Sequence, residues 1–131
     1  MIALDTNVLV RFLVADDPEQ SARAGALIER AVKRGQSLYV SDIVLCEAVW
    51  VLTSCYELSR AAVATTLRDL LRARHLTFGA PDRLGRALDC YERAAGDFAD
   101  YLIREHARDA GYQEVATFDR ALLKEAGFVA P

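Results

Sequence analysis

Short apolar runs alternate along the chain with longer segments of helical spacing. Met1 to Leu4 is an apolar run that stops at Asp5, the pattern of a buried first strand. Asp16 and Asp17 precede Pro18, a helix-start signal, and helical spacing carries the segment to about Arg34 before Gly35 ends it. Leu38 to Val40 reads as a second strand. Ser41 then caps a strongly apolar helix from about Asp42 to Ser54, and Ser59 caps another to about Arg74. His75 to Phe78 is a third strand, closed by Gly79 and Pro81. Two helices follow, from about Asp82 to Ala95 and from about Asp97 to Ala110, parted at Gly96. Glu114 to Ala116 is a fourth strand, and Asp119 opens a last short helix that ends near Gly127.

Strands that alternate with helices predict an α/β fold with a short, mainly parallel central sheet and helices on both faces. No repeat, low-complexity tract or Gly/Ser/Pro-rich linker divides the 131 residues, so one domain over 1–131 is expected. In such sheets the functional crevice lies beyond the carboxyl ends of the strands. Asp5 ends the first strand and Asp119 follows the fourth, which directs attention to the acidic residues at that edge.

Glu47 is the most unusual of them. Its neighbours three and four positions away are Ile43, Val44, Trp50 and Val51, all apolar. That setting predicts a largely buried carboxylate, which must be protonated, paired or bound to a cation. An ion pair with a distant arginine and an active-site acid are the two possibilities. Asp5, in LDTN, suits a turn cap as well as a site. Asp97 and Asp100, in GDFADYLI, fit the N-cap and third position of a capping box. Asp119, in ATFD with Thr117 nearby, fits capping equally.

Capping accounts for each aspartate singly but not for the set. Asp5, Glu47, Asp100 and Asp119 come from four segments expected at one edge, and crowded carboxylates repel unless a cation neutralises them. Oxygen ligands without His or Cys select hard ions such as Mg²⁺ or Mn²⁺. Such ions bind phosphate oxygens and activate water, so the chemistry indicated is metal-assisted phosphodiester hydrolysis.

Other chemistries fall away. Cys46, Cys55 and Cys90 are odd in number and have no CxxC spacing, which predicts reduced thiols in a cytoplasmic protein. Cys46 has no evident histidine base, and His75 and His106 are solitary. Arg68, Arg72 and Arg74 form a basic helix edge that suits solvent or RNA phosphates. There is no Walker loop and no GxGxxG. The most apolar window, Ile43 to Leu52, is too short to cross a membrane, and no secretory leader is expected from MIALDTNVLV. The net charge of −3 argues against a strongly basic nucleic-acid binder. Setting aside the four site acids, however, leaves one more basic than acidic residue.

Together these motifs resemble a PIN domain, and more closely the VapC-type toxins of bacterial or archaeal toxin–antitoxin pairs, over essentially the whole chain. LDTNVLVRFL resembles the first acidic motif with Asp5, SDIVLCEAVWVL the second with Glu47, GDFADYLI the third with Asp100, and ATFD the fourth with Asp119. The resemblance implies a small three-layer α/β/α sandwich acting as an Mg²⁺- or Mn²⁺-dependent endoribonuclease. Asp5, Asp100 and Asp119 would hold the metal. Glu47 would ligate it through water or orient the attacking water, with Thr6, Asn7 and Thr117 in support. It also implies an RNA substrate, a cognate antitoxin and a homodimer. Asp97 departs from the pattern, as an extra ligand or as the third carboxylate itself. Two other readings remain: a binding scaffold without catalysis, with Trp50, Leu52 and Tyr56 as interface or core, and an aspartyl-phosphate phosphatase or receiver. The latter lacks a second Asp two residues after Asp5 and has only Lys33 and Lys124 to offer.

Overall fold

Asp5 ends one element and starts the next. The computed structural model describes residues 2–131, so Met1, expected in the first strand, lies outside the described residues. β1 covers Ile2–Ala3, and the Asp5 carboxylate then accepts the Thr6 N–H at 2.8 Å as N-cap of α1, Thr6–Leu13. No helix is among the elements expected there, although Leu9, Phe12 and Leu13 fall at helical spacing.

The chain divides into two compact units, one up to Gly79 and one from Ala80. In the first, α1 is followed by α2 (Pro18–Lys33), β2 (Leu38–Val40), α3 (Asp42–Ser54), α4 (Arg60–Arg72) and β3 (Leu76–Phe78). The strands form a parallel sheet in the order β1-β2-β3, with Ile2 opposite Leu38 and Leu38 opposite Leu76. Parallel pairing requires helical crossovers, which is why each strand here is followed by helices. The capping signals hold: Asp17 accepts from Gln20 N–H at 3.0 Å, Ser41 from Val44 at 3.2 Å and Ser59 from Ala62 at 3.1 Å. Leu9, Val40, Leu45, Leu52 and Val63 are fully buried, each leucine or valine contributing about 1.5–3 kcal/mol by leaving water.

The second unit comprises α5 (Pro81–Arg93), α6 (Phe98–Asp109), β4 (Val115–Ala116) and β5 (Phe128–Val129), the last two paired in parallel. Leu84, Leu88, Phe98 and Tyr101 fill its core, with Tyr91 and Phe98 edge to face at 6.1 Å. The short helix expected from Asp119 is not there. Asp119 instead accepts the Ala121 N–H at 2.9 Å in a tight turn, followed by one 3₁₀ turn at Leu122–Lys124. Gly127, at φ 87°, then turns the chain into β5. The segment is too short for an α-helix once Phe128 pairs with Val115. The strands thus lie in two parallel sheets, of three and two strands, and Asp5 and Asp119 follow strands of different sheets.

Glu105 and Arg104 are both buried in the second unit, at 2% and 5% exposure. Glu105 accepts from Arg86 at 2.8 Å, Arg108 at 3.0 Å and Arg104 at 3.2 Å. Burial alone would raise its pKa, but hydrogen bonds from Arg86 and Arg104 and the charge of Arg108 hold it below the ordinary glutamate value. Arg104 also donates to Ala126 O at 3.0 Å and lies over the Tyr101 and Phe128 rings.

Candidate active site

In the first unit the candidate residues lie where α1 meets α3. Asp5 is exposed at the start of α1, and Thr6, the next residue, is buried. The Thr6 hydroxyl donates to Glu47 Oε2 at 3.0 Å. Asn7 is exposed on the same helical turn.

Glu47 itself is exposed, contrary to the burial its apolar neighbours predict. α3 is apolar on more than one face, and the core takes Leu45, Ala48, Val49 and Leu52. The face carrying Glu47 is the open one, with Ile43 71% and Trp50 64% exposed. Apolar spacing alone cannot distinguish two apolar stripes on one helix. Leu52 is core, Trp50 is surface, and Tyr56 donates to Asp16 at 2.7 Å.

In the second unit Asp97 is exposed at the N-cap of α6, and Asp100 is half-buried one turn in. Asp100 accepts the Asp97 N–H at 3.0 Å, the return bond expected of a capping box. Its pKa is raised, first by burial and then by the negative charges of Asp97, Asp119 and Glu125, while the Asp97 N–H works the other way. Asp119 is exposed, and its N–H donates to Thr117 Oγ1 at 3.1 Å, so the hydroxyl foreseen beside it braces the turn. Glu125, which the motifs do not mark, joins this group and accepts from Tyr101 at 2.8 Å. No spacing rule connects it to Asp100; only the turn after Asp119 does.

Asp5, Glu47, Asp100 and Asp119 have no basic partner among the described residues. Glu105, Asp109 and Asp16, by contrast, are paired with arginines. The donors are carboxylate oxygens, the chemistry that suits a hard divalent cation. Among the described residues, however, no three acidic, histidine or cysteine side chains stand close enough together to cage an ion. The three cysteines are free thiols, and Cys46 is pushed up to about 11 by burial and by Asp42, unsuited to nucleophilic attack. His106 is exposed, and His75 Nε2 is buried without a hydrogen-bond partner among the described residues. No helix among the described residues is long and apolar enough to cross a membrane.

A protein of Aquifex aeolicus (strain VF5) named VapC ribonuclease is 27% identical over 128 residues, covering 98% of this chain and 93% of its own length. The family model described as PIN domain matches residues 2–129. That match runs through both units and takes in every acidic motif, and the chain therefore belongs to the PIN domain family.

Proposed function

We propose that this protein is a metal-dependent endoribonuclease of the VapC type, the toxin of a toxin–antitoxin pair, acting as one PIN domain over 1–131. The observation that carries the reading is the unneutralised state of its carboxylates. Asp100 sits half-buried among acidic neighbours, and Asp5, Glu47 and Asp119 lack a basic partner among the described residues. Elsewhere the protein neutralises buried acid with arginine, as at Glu105. A group left without such a partner suits an external cation.

Asp5, Asp100 and Asp119 would hold Mg²⁺ or Mn²⁺, which supplies charge for the phosphate oxygens and lowers the pKa of the attacking water. Glu47, held at Oε2 by Thr6, is free at its other oxygen to orient that water. Thr117 keeps Asp119 in its turn, and Asp97 supplies the N–H that fixes Asp100. The relative named VapC ribonuclease supports RNA as the substrate. The open apolar positions Ile43 and Trp50, flanking Glu47, support a protein partner on this face, and we assign it to the antitoxin. A homodimer and a cytoplasmic location complete the proposal.

The test is cleavage of single-stranded RNA with Mg²⁺ or Mn²⁺, with EDTA, and by Asp5→Asn. Cleavage that needs the metal and is lost in the variant is expected. Cleavage that persists in EDTA refutes the assignment. A non-catalytic scaffold is the second reading, favoured by the lack of three donors in caging distance among the described residues. A calorimetric titration that detects no divalent-ion binding would favour it.

A further inference from the structure

α1 and α2 enclose a cleft of about 560 Å³ within the first unit. Val8, Ala24 and Leu27 give it apolar surface, Asn7 stands at one side, and Arg11, Arg23 and Arg30 contribute three guanidinium groups. Arg11 is already committed: it donates to Gln20 at 2.7 Å and to Tyr56 at 3.0 Å, and pairs with Asp16 at 3.4 Å. Arg23 and Arg30 are exposed, and neither has a carboxylate or hydrogen-bond partner among the described residues. Two uncompensated cations beside an apolar hollow call for an anionic ligand with some apolar surface.

Two features choose among such ligands. Arg23 and Arg30 are seven residues apart on one helix, about 10 Å along its axis, a spacing that matches an extended polyanion better than a compact anion. Asn7 lines the cleft only two residues after Asp5, so a ligand there continues directly from the candidate catalytic position. Single-stranded RNA has both properties: a phosphate on every nucleotide, and bases with exposed ring faces to cover Val8 and Leu27.

We infer that the α1–α2 cleft is a substrate subsite, in which Arg23 and Arg30 bind backbone phosphates of the RNA strand flanking the cleaved bond. The inference rests on the ribonuclease reading for the direction of the strand, though not for the binding itself. Phosphate contacts of this kind set position and affinity without reading sequence.

Binding of a short fluorescein-labelled single-stranded oligoribonucleotide to the full chain in EDTA, measured over a range of salt, tests it. The Arg23→Gln/Arg30→Gln variant should bind about tenfold more weakly, and its log K against log salt should be shallower by about 1.4, the effect of two lost phosphate contacts. Arg23→Lys/Arg30→Lys, which keeps both charges, should retain the salt slope. In metal the Gln variant should raise KM and leave kcat unchanged. Because both arginines are exposed and unpaired among the described residues, the thermal midpoint should not move, and it serves as the folding control. Affinity and slope unchanged in the Gln variant overturn the inference, even if the protein cleaves RNA. Arginine-dependent capture of a polyglutamate peptide, with RNA binding indifferent to both residues, overturns it in favour of a protein ligand. Arginine-dependent RNA binding by a protein that fails to cleave upholds the subsite and sinks the nuclease reading alone.

Discussion

The Thr6 hydroxyl donates to Glu47 Oε2 at 3.0 Å, joining the first turn of α1 to the middle of α3 across 41 residues of sequence. Thr6 is buried while Glu47 is exposed, so an immobile group restrains a solvent-facing carboxylate. A hydrogen bond to a charged group is worth about 1.5 kcal/mol or somewhat more, and supporting contacts of this kind typically change activity by 10- to 100-fold. Thr6→Val should therefore lower kcat by roughly tenfold and the thermal midpoint by a few degrees, and Thr6→Ser should restore most of both. Cleavage kinetics and a thermal melt on the same samples check both halves.

Glu105 is the charge on which the second unit depends. Removing one partner from a buried ion pair costs about 3–5 kcal/mol, because the remaining charges are left uncompensated. Glu105→Gln, which leaves Arg86, Arg104 and Arg108 facing a neutral amide, should lose about 3 kcal/mol in urea unfolding. The pH dependence follows from the direction of its shift. The folded pKa lies below the ordinary value of 4.5, so the stability from this pairing is present above about pH 4.5 and is lost as pH falls through the folded value. Urea midpoints measured between neutral pH and strong acid should fall less in the Gln variant than in the parent.

Gly96 is buried and donates its N–H to Tyr101 Oη at 2.7 Å. A Cβ there would meet Tyr101 Oη and Leu122 Cδ2, both at 2.7 Å, too close for either to remain in place. Overpacking of this kind costs about 1–3 kcal/mol, and Gly96→Ala should lower the thermal midpoint by roughly 5–10 °C. Tyr101 also donates to Glu125, so the displacement reaches the acidic group around Asp100, and calorimetric binding of Mn²⁺ should weaken with it.

Cys46 adjoins Glu47 but should have no part in catalysis. Burial, with Asp42 second, pushes its thiol up to about 11, so almost none is thiolate at neutral pH. Cys46→Ser should cleave at the parental rate, and iodoacetamide at neutral pH should label exposed Cys55 well before it. Mass spectrometry of the alkylated peptides reads the second result.

Local chemistry makes part of this molecule readable from sequence. Ser41 before an apolar run places α3 at Asp42–Ser54, and the Asp97/Asp100 spacing yields the return bond of a capping box. α1 escapes because Val8, Val10 and Phe12 favour strands and mask the helical spacing of Thr6, Leu9 and Val10, its buried set. The open face of Glu47 escapes because α3 offers two apolar stripes, and tertiary packing chooses between them. The 3₁₀ turn after Asp119 and the two residues of β5 depend on pairing with Val115, a contact no local signal carries. Motif order singles out the candidate acids, whereas their surroundings, Glu125 included, come from the fold.

The central proposal is that Asp5 and Asp100 are both metal-holding carboxylates of one reaction. A double-substitution cycle on RNA cleavage in saturating Mg²⁺ or Mn²⁺ tests it most directly, with Asp5→Asn, Asp100→Asn and the pair. Each single variant should lose roughly 10²- to 10³-fold in rate, and the pair should lose no more than the worse of the two, since groups acting as a unit are not additive. Losses that multiply in the pair, or full activity in either single variant, would contradict the account.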